Sequence, residues 1–353
     1  MGSREITSRL SVCVAATFAF AGAAFFAPVA SATPSASDFS QALPSLERVD
    51  GAVDRSHPDE GAVTARSPVI AAPQSFDLAG IKGETRTVEL RARRSGGGWT
   101  DWTETSEGDP VWFGGMDELQ IRARGWTPAG QIHYVSVEND ASEATARAGG
   151  GKPNIVSRQE WGANRDQGGC KPRKNASEGK VKAAYVHHTV SATNYSESQA
   201  AGMVLGICHF HRNSNGWDDI GYNALVDRFG NIYEGRAGGL ARPVVGAHAE
   251  GYNAQSTGTA VLGTHTERPI TRAAMRGLSK WLAWKLPQHG HDTKGTARLV
   301  SAGGDTNRFA NGTRVNTARI IGHRRTNFTE CPGRALKDQL SRLRNKVQRR
   351  IKR

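Results

Sequence analysis

Along residues 76–139 apolar and polar side chains alternate. Val88, Leu90 and Ala92 interleave with Glu89, Arg91 and Arg93, and Leu119, Ile121 and Ala123 with Gln120, Arg122 and Arg124; Ile132 and Tyr134 sit among polar neighbours in the same way. A period of two sends successive side chains to opposite faces, so these runs predict half-buried antiparallel strands. Gly96-Gly97-Gly98, Gly114-Gly115 and Pro128-Ala129-Gly130 supply turns. Beyond residue 154 both periods occur. Residues 183–187 read as a short strand, and residues 196–211 as a helix capped by Ser196, with Ala200, Val204, Ile207 and His211 at three- and four-residue steps. Residues 224–227 and 231–234 flank Arg228-Phe229-Gly230 as a hairpin, and residues 259–262 form another strand. Thr271 caps a helix that Pro287 stops, and residues 319–321 form a strand delivering His323. Leu336, Leu340, Leu343, Val347 and Ile351 make one stripe on a closing helix. The expected fold class is α/β, a mixed central β-sheet flanked by helices and preceded by a small all-β domain.

The stretches between these patterns mark the boundaries. Residues 33–75, rich in Ala, Ser and Pro without a sustained period, read as a flexible leader, and residues 140–153 as a glycine-rich linker. At the start, Arg4 and Arg9 precede an apolar run from Ser11 to Ala27, and Ala30-Ser31-Ala32 places small residues for cleavage after Ala32. That is the layout of a secretory signal peptide. The run falls short of the ~20 residues that a span needs, a retained anchor being the alternative. The expected order is signal peptide 1–32, leader 33–75, β-rich domain 76–139, linker 140–153, main domain 154–341 and basic helix end 342–353. Trp99, Trp102, Trp112 and Trp126 fit two roles, closing a small core or lining a sugar-binding face.

Export changes the reading of the cysteines. Cys13 leaves with the signal, so Cys170, Cys208 and Cys331 remain. An odd number in an oxidising compartment leaves one thiol free, intermolecular or metal-bound. The formal charge is +13, and seven of the last twelve residues are Arg or Lys. Such a chain concentrates near anionic polymers, and for a secreted protein an anionic cell-wall surface is the expected one. The closing helix has two readings, docking on its own domain or contacting a wall or membrane.

Two histidines and a thiolate, His187, His323 and Cys331, form a donor set suited to zinc that leaves a fourth position for water or substrate. Each has a plainer reading alone. A histidine at a strand end commonly packs or hydrogen-bonds, an extracellular cysteine is usually half of a disulfide, and the spacing of His323 and Cys331 fits no zinc-finger pattern.

Ile155-Val156-Ser157-Arg158-Gln159-Glu160-Trp161-Gly162-Ala163, Gly216-Trp217-Asp218-Asp219-Ile220-Gly221-Tyr222-Asn223, Gly230-Asn231-Ile232-Tyr233-Glu234-Gly235-Arg236, Gly246-Ala247-His248, Gly251-Tyr252-Asn253 and Cys331-Pro332-Gly333 occur in order. In these motifs residues 154–340 resemble the type 2 N-acetylmuramoyl-L-alanine amidase family, which includes the peptidoglycan recognition proteins; the front half more loosely resembles that of secreted actinobacterial relatives. The resemblance implies that His187, His323 and Cys331 bind Zn2+ and that His188 points to the opposite face. It also implies that Tyr222 is the catalytic tyrosine and that Thr329 faces the substrate carbonyl. The substrate it implies is peptidoglycan, cut between N-acetylmuramic acid and the L-alanine of its stem peptide. With Cys331 taken as a ligand, Cys170 and Cys208 remain to pair, and their bridge would pin the N-terminal segment to the helix that begins at Ser196. Relatives usually carry Asp after Gly-His-Arg where this chain has Arg325.

A second function stays open, a recognition protein that binds peptidoglycan without cutting it; such relatives characteristically lack the cysteine or the tyrosine, and both are present. A nucleic-acid binder has only net charge behind it, so no nucleic-acid partner is expected. The protein is expected to act as a secreted, wall-associated monomer. Diaminopimelate- versus lysine-type stem specificity is not legible.

Overall fold

Two antiparallel and mixed sheets enclose a helix between them. The computed structural model describes residues 1–2, 33–49, 63–82, 84, 86–105, 108–139, 147–149 and 152–352. The chain divides into two units, Met1–Ala30 and Ser31–Arg353, and the architecture below is that of the second. The expected signal peptide, apart from Met1 and Gly2, lies outside the described residues. Among those residues no helix is long and apolar enough to cross a membrane.

The front sheet contains β1 (Ser35–Ala42), β2 (Glu47–Arg48), β3 (Val63–Arg66), β4 (Ile70–Ile81), β5 (Glu89–Arg93), β6 (Thr103–Glu104), β7 (Val111–Arg124) and β8 (Gln131–Glu138). Its order is β1-β8-β4-β7-β3-β2, with β5 also pairing β7 and β6 pairing β5. The alternation in the sequence is realised: Leu90, Ala92, Leu119, Ile121, Ile132 and Tyr134 are buried together. The leader expectation needs correction, because residues 35–42, 63–66 and 70–75 are strand. β1 carries Ser, Asp and Gln in place of an apolar stripe, and it is held by backbone pairing with β8 from Ser35 to Ala42. Asp38 adds a side-chain tie, accepting from His133 Nε2 at 2.8 Å and His209 Nδ1 at 2.5 Å.

Burial alone would raise the Asp38 carboxyl, but hydrogen bonds and charge from His133 and His209 outweigh it and hold it well below the usual carboxylate range. A carboxyl depressed in this way stabilises the fold above its unfolded pKa of ~4 and loses that contribution as pH falls further. Urea unfolding should therefore show wild type more stable than Asp38→Asn at pH 6, with the gap narrowing from pH 4 downward. A pH-independent gap would contradict this account.

Of the four front-sheet tryptophans Trp112 is buried within a core, and Trp126 packs against the edge of another. Trp99, Trp102 and Trp126 are half-buried under guanidinium groups: Arg91 lies 4.7 Å from the Trp99 ring and 4.6 Å from Trp102, and Arg86 lies 3.7 Å from Trp126. Such stacking is a favourable cation–π arrangement.

The main sheet contains β9 (Arg147–Gly149), β10 (Lys152–Val156), β11 (Ala183–His188), β12 (Ala224–Val226), β13 (Ile232–Glu234), β14 (Ser256–Val261) and, after the hairpin β15 (Thr296–Val300) and β16 (Arg314–Ala318), β17 (Ile320–Gly322). Its order is β17-β11-β14-β12-β13-β10-β9. β11 runs parallel to both β14 and β17, whereas β12 and β13 are antiparallel, so the sheet is mixed. The turn joining β12 to β13 is built by Asp227, whose carboxylate accepts the N–H groups of Phe229, Gly230 and Asn231.

Among the described residues three α-helices complete the unit: α1 (Glu197–Asn213), α2 (Arg272–Lys285) and α3 (Arg334–Ile351). Thr271 caps α2 by accepting from Ala274 N–H at 3.0 Å. Ala184, Val186, Ala224, Val226 and Val261 face α2 and α3, while the alternate residues Leu225 and Ala260 face α1. The α3 stripe of Leu336, Leu340, Leu343 and Val347 is buried in that core, which decides the closing helix in favour of docking. Helix α1 is buried on more than its predicted stripe, from Ala200 to His211. Its second covered side meets Leu78, Trp112, Val135 and Val137 of the front sheet, all in one core with Val204, Leu205 and Phe210.

Candidate metal centre

His187 stands near the end of β11. Since Ala184 and Val186 turn toward α2 and α3, strand alternation turns Ala183, Tyr185 and His187 to the other side. That side is bounded by α1 and by the β15–β16 hairpin, whose Ala297, Leu299 and Val315 pack with Tyr185 and Tyr252. His323 follows β17 directly and opens a single 3-10 turn. The loop then folds back to Cys331: the Cys331 N–H donates to Thr329 Oγ1 at 3.1 Å, and Arg324 N–H donates to the Cys331 carbonyl at 2.8 Å. Gly322 permits that return, because a Cβ there would lie 2.6 Å from Pro332 Cδ.

The ligand atoms of His187, His323 and Cys331 all lie within 4.8 Å of one another, and the three residues are buried. Cys331 Sγ is 3.6 Å from His187 Nδ1. Zinc bonds of ~2.3 Å to sulfur and ~2.0–2.1 Å to nitrogen, opened at a tetrahedral angle, hold sulfur and nitrogen about 3.6 Å apart. The donor set therefore fits a tetrahedral ion. A second group, Cys170, Cys208 and Asp219, also converges. Its two sulfurs form a disulfide, which ties the segment before β11 to α1 and leaves no thiolate to offer.

Burial, followed by the nearby imidazoles of His323, His248 and His188, pushes His187 well below the usual histidine pKa. Burial and the charges of His248 and His188 lower His323 to about 3. Both rings are thus neutral at physiological pH, the form that binds a metal. With His187 Nδ1 turned to the sulfur, its Nε2 lies 3.2 Å from His248 Nδ1. His248 in turn reaches Ser256 Oγ at 3.5 Å, and that hydroxyl donates to the Tyr252 carbonyl at 2.8 Å. Such a partner fixes the tautomer and aim of a ligand ring. A Cβ on Gly258 would fall 2.3 Å from His248 Cγ, so the strand residue beneath His248 must be small. The Gly246-Ala247-His248 motif was visible in the sequence, but nothing in it marked this role.

Tyr222 is brought to the same place, its ring centroid 5.2 Å from that of His187. A cavity of about 320 Å³ is lined by His187, His323, Tyr222, His248 and Asp109. Thr329 and Cys331 line a neighbouring cavity of about 330 Å³ that shares Asp305 and Thr306 with the first. Arg86, Thr87, Glu104 and Thr105 of the front sheet and its loops wall the second cavity. Arg325 lies apart from both: it is exposed, its guanidinium donates to the Asn316 carbonyl at 3.4 Å, and it borders a basic groove with Arg308 and Arg344.

The family model described as N-acetylmuramoyl-L-alanine amidase matches residues 177–334. Peptidoglycan-recognition protein SC2 of Drosophila simulans is 32% identical over 181 residues, 51% of this chain and 80% of that protein. The N-acetylmuramoyl-L-alanine amidase of Homo sapiens is 31% identical over 212 residues, 60% of this chain but only 32% of that longer protein. Among solved structures, wild-type Drosophila PGRP-LB is 24% identical over 53% of this chain and 92% of its own, with a TM-score of 0.41. Peptidoglycan-recognition protein SC2 is thus matched by sequence along most of its length. The chain belongs to the peptidoglycan-recognition and type 2 amidase family.

Proposed function

We propose that the protein is a secreted, zinc-dependent N-acetylmuramoyl-L-alanine amidase that hydrolyses the amide between N-acetylmuramic acid and L-alanine in peptidoglycan. The observation that carries this reading is the 3.6 Å separation of Cys331 Sγ and His187 Nδ1 beside His323. Zinc in that position supplies Lewis acidity, polarising a carbonyl and lowering the pKa of water. His187, His323 and Cys331 hold the ion, and His248 keeps the His187 ring aimed. Tyr222 presents its phenol beside His187, where it orients the attacking water. Thr329 serves twice: its hydroxyl anchors the Cys331 backbone, and its place beside the cleft suits a hydrogen bond to the developing oxyanion. The names of the relatives support peptidoglycan as substrate, and the net charge of +13 suits an anionic wall.

The test is digestion of purified peptidoglycan by the zinc-loaded protein, with product masses read out. Release of stem peptides with a free amino-terminal alanine is the expected result. Muropeptide binding without amide cleavage, zinc being present in the site, would establish the non-catalytic recognition reading instead.

A further inference from the structure

The hydroxyl of Tyr222 does not face the cluster unaccompanied. It donates to Asp109 Oδ2 at 2.5 Å, although the two residues are 113 positions apart. Asp109 precedes β7 in the front sheet, and its other oxygen, Oδ1, lies 2.8 Å from His211 Nε2 on α1. The tautomer of His211 follows from its neighbour: Gly221 N–H donates to His211 Nδ1 at 3.0 Å, so the ring hydrogen sits on Nε2 and is donated to Asp109. Asp109 therefore accepts from both sides and has no hydrogen of its own to give.

This support is built in rather than hinged. His211 is completely buried. The carbonyl of Gly108 accepts from Asn215 Nδ2 at 2.9 Å, and the Trp112 carbonyl accepts from Ala192 N–H at 3.2 Å. Trp112 itself belongs to the core that joins the front sheet to α1. A lid would need to detach, and these contacts oppose that.

A phenol has one hydrogen. Once that hydrogen is committed to Asp109, the Tyr222 oxygen can only accept from any further group. We infer that Asp109 is a positioning residue of the active site, contributed by the front sheet, which fixes Tyr222 as a hydrogen-bond acceptor toward the attacking water rather than as a donor to the oxyanion. The inference rests on the amidase reading above.

Asp109→Asn tests it with little change of shape. The new amide can accept from His211 through its oxygen, but its nitrogen then donates to Tyr222 and turns the phenol hydrogen away. The expected result is a fall in kcat of about 10- to 100-fold, with KM, zinc content and melting temperature close to wild type. Asp109→Glu, which restores two acceptors, should recover part of the rate. In a Tyr222→Phe background Asp109→Asn should cost little more, because both changes remove one interaction. A wild-type kcat in Asp109→Asn overturns the inference, and so does an equal loss in both backgrounds or a rate loss that merely follows lowered melting temperature; each leaves the amidase reading standing. If the zinc-loaded wild type cleaves no amide, the amidase reading fails and takes this inference with it.

Discussion

Cys331→Ser should lose both its zinc and nearly all amide cleavage. Serine keeps the size of the side chain but stays neutral at physiological pH, so the proposed zinc site would lose its one anionic ligand and the sulfur that would bind the ion. Lewis-acid stabilisation is worth several kcal/mol, and each ~1.4 kcal/mol is tenfold in rate, so the expected fall is about a thousandfold or more. Metal content by elemental analysis and product masses from peptidoglycan measure the two losses separately. Zinc lost with cleavage retained would sink the proposed chemistry. The fold should survive the change, since Thr329 Oγ1 and Arg324 N–H bind the backbone of residue 331 rather than its sulfur.

The second large effect is expected at Trp112, which is none of the candidate metal ligands. Its ring is buried between the front sheet and α1, close to Gly206, where an added Cβ would meet Trp112 Cζ3 at 3.4 Å. Trp112→Ala should cost about 3–5 kcal/mol of unfolding free energy through lost burial and the cavity left behind. It should also depress kcat in the fraction that remains folded, because Asp109 lies three positions earlier on the same segment. Urea unfolding reads the first effect, and kinetics at a temperature well below the melting transition read the second. A stability loss under about 1 kcal/mol would mean that the shared core is less continuous than its packing indicates.

Local order was legible wherever apolar and polar surroundings on opposite sides imposed a period. The α3 stripe corresponds to one wet face and one dry face, whereas in β5 and β7 the alternation separates an apolar core from a polar face on which Glu89, Gln120 and Arg122 are themselves buried and hydrogen-bonded. The period failed where apolar neighbours cover more than one side or where the backbone does the holding. Helix α1 shows this in one way: Ala200, Val204, Ile207 and His211 mark a stripe, but Gly202, Gly206 and Phe210 are buried as well, against the front sheet. β1 shows it in another way, since its polar residues pair through main-chain groups and leave no apolar rhythm to detect. The convergence of His187, His323 and Cys331 was to be expected only from motifs, because His187 and Cys331 lie 144 positions apart and no local spacing connects them. Asp109 left no trace in the sequence. Its partners, His211 and Tyr222, are set by how the front sheet docks, and docking is a property of two surfaces rather than of either string of residues.

That docking also bears on inheritance. Protein segments that pass freely between chains are those whose surfaces are finished before they meet a neighbour. Residues 154–352 are not finished in this sense: cut loose, they would bare the side of α1 now roofed by Leu78, Trp112, Val135 and Val137. The front sheet is therefore no detachable accessory. It and the main sheet are tied to change together, so that an alteration in one is felt as a flaw in the other.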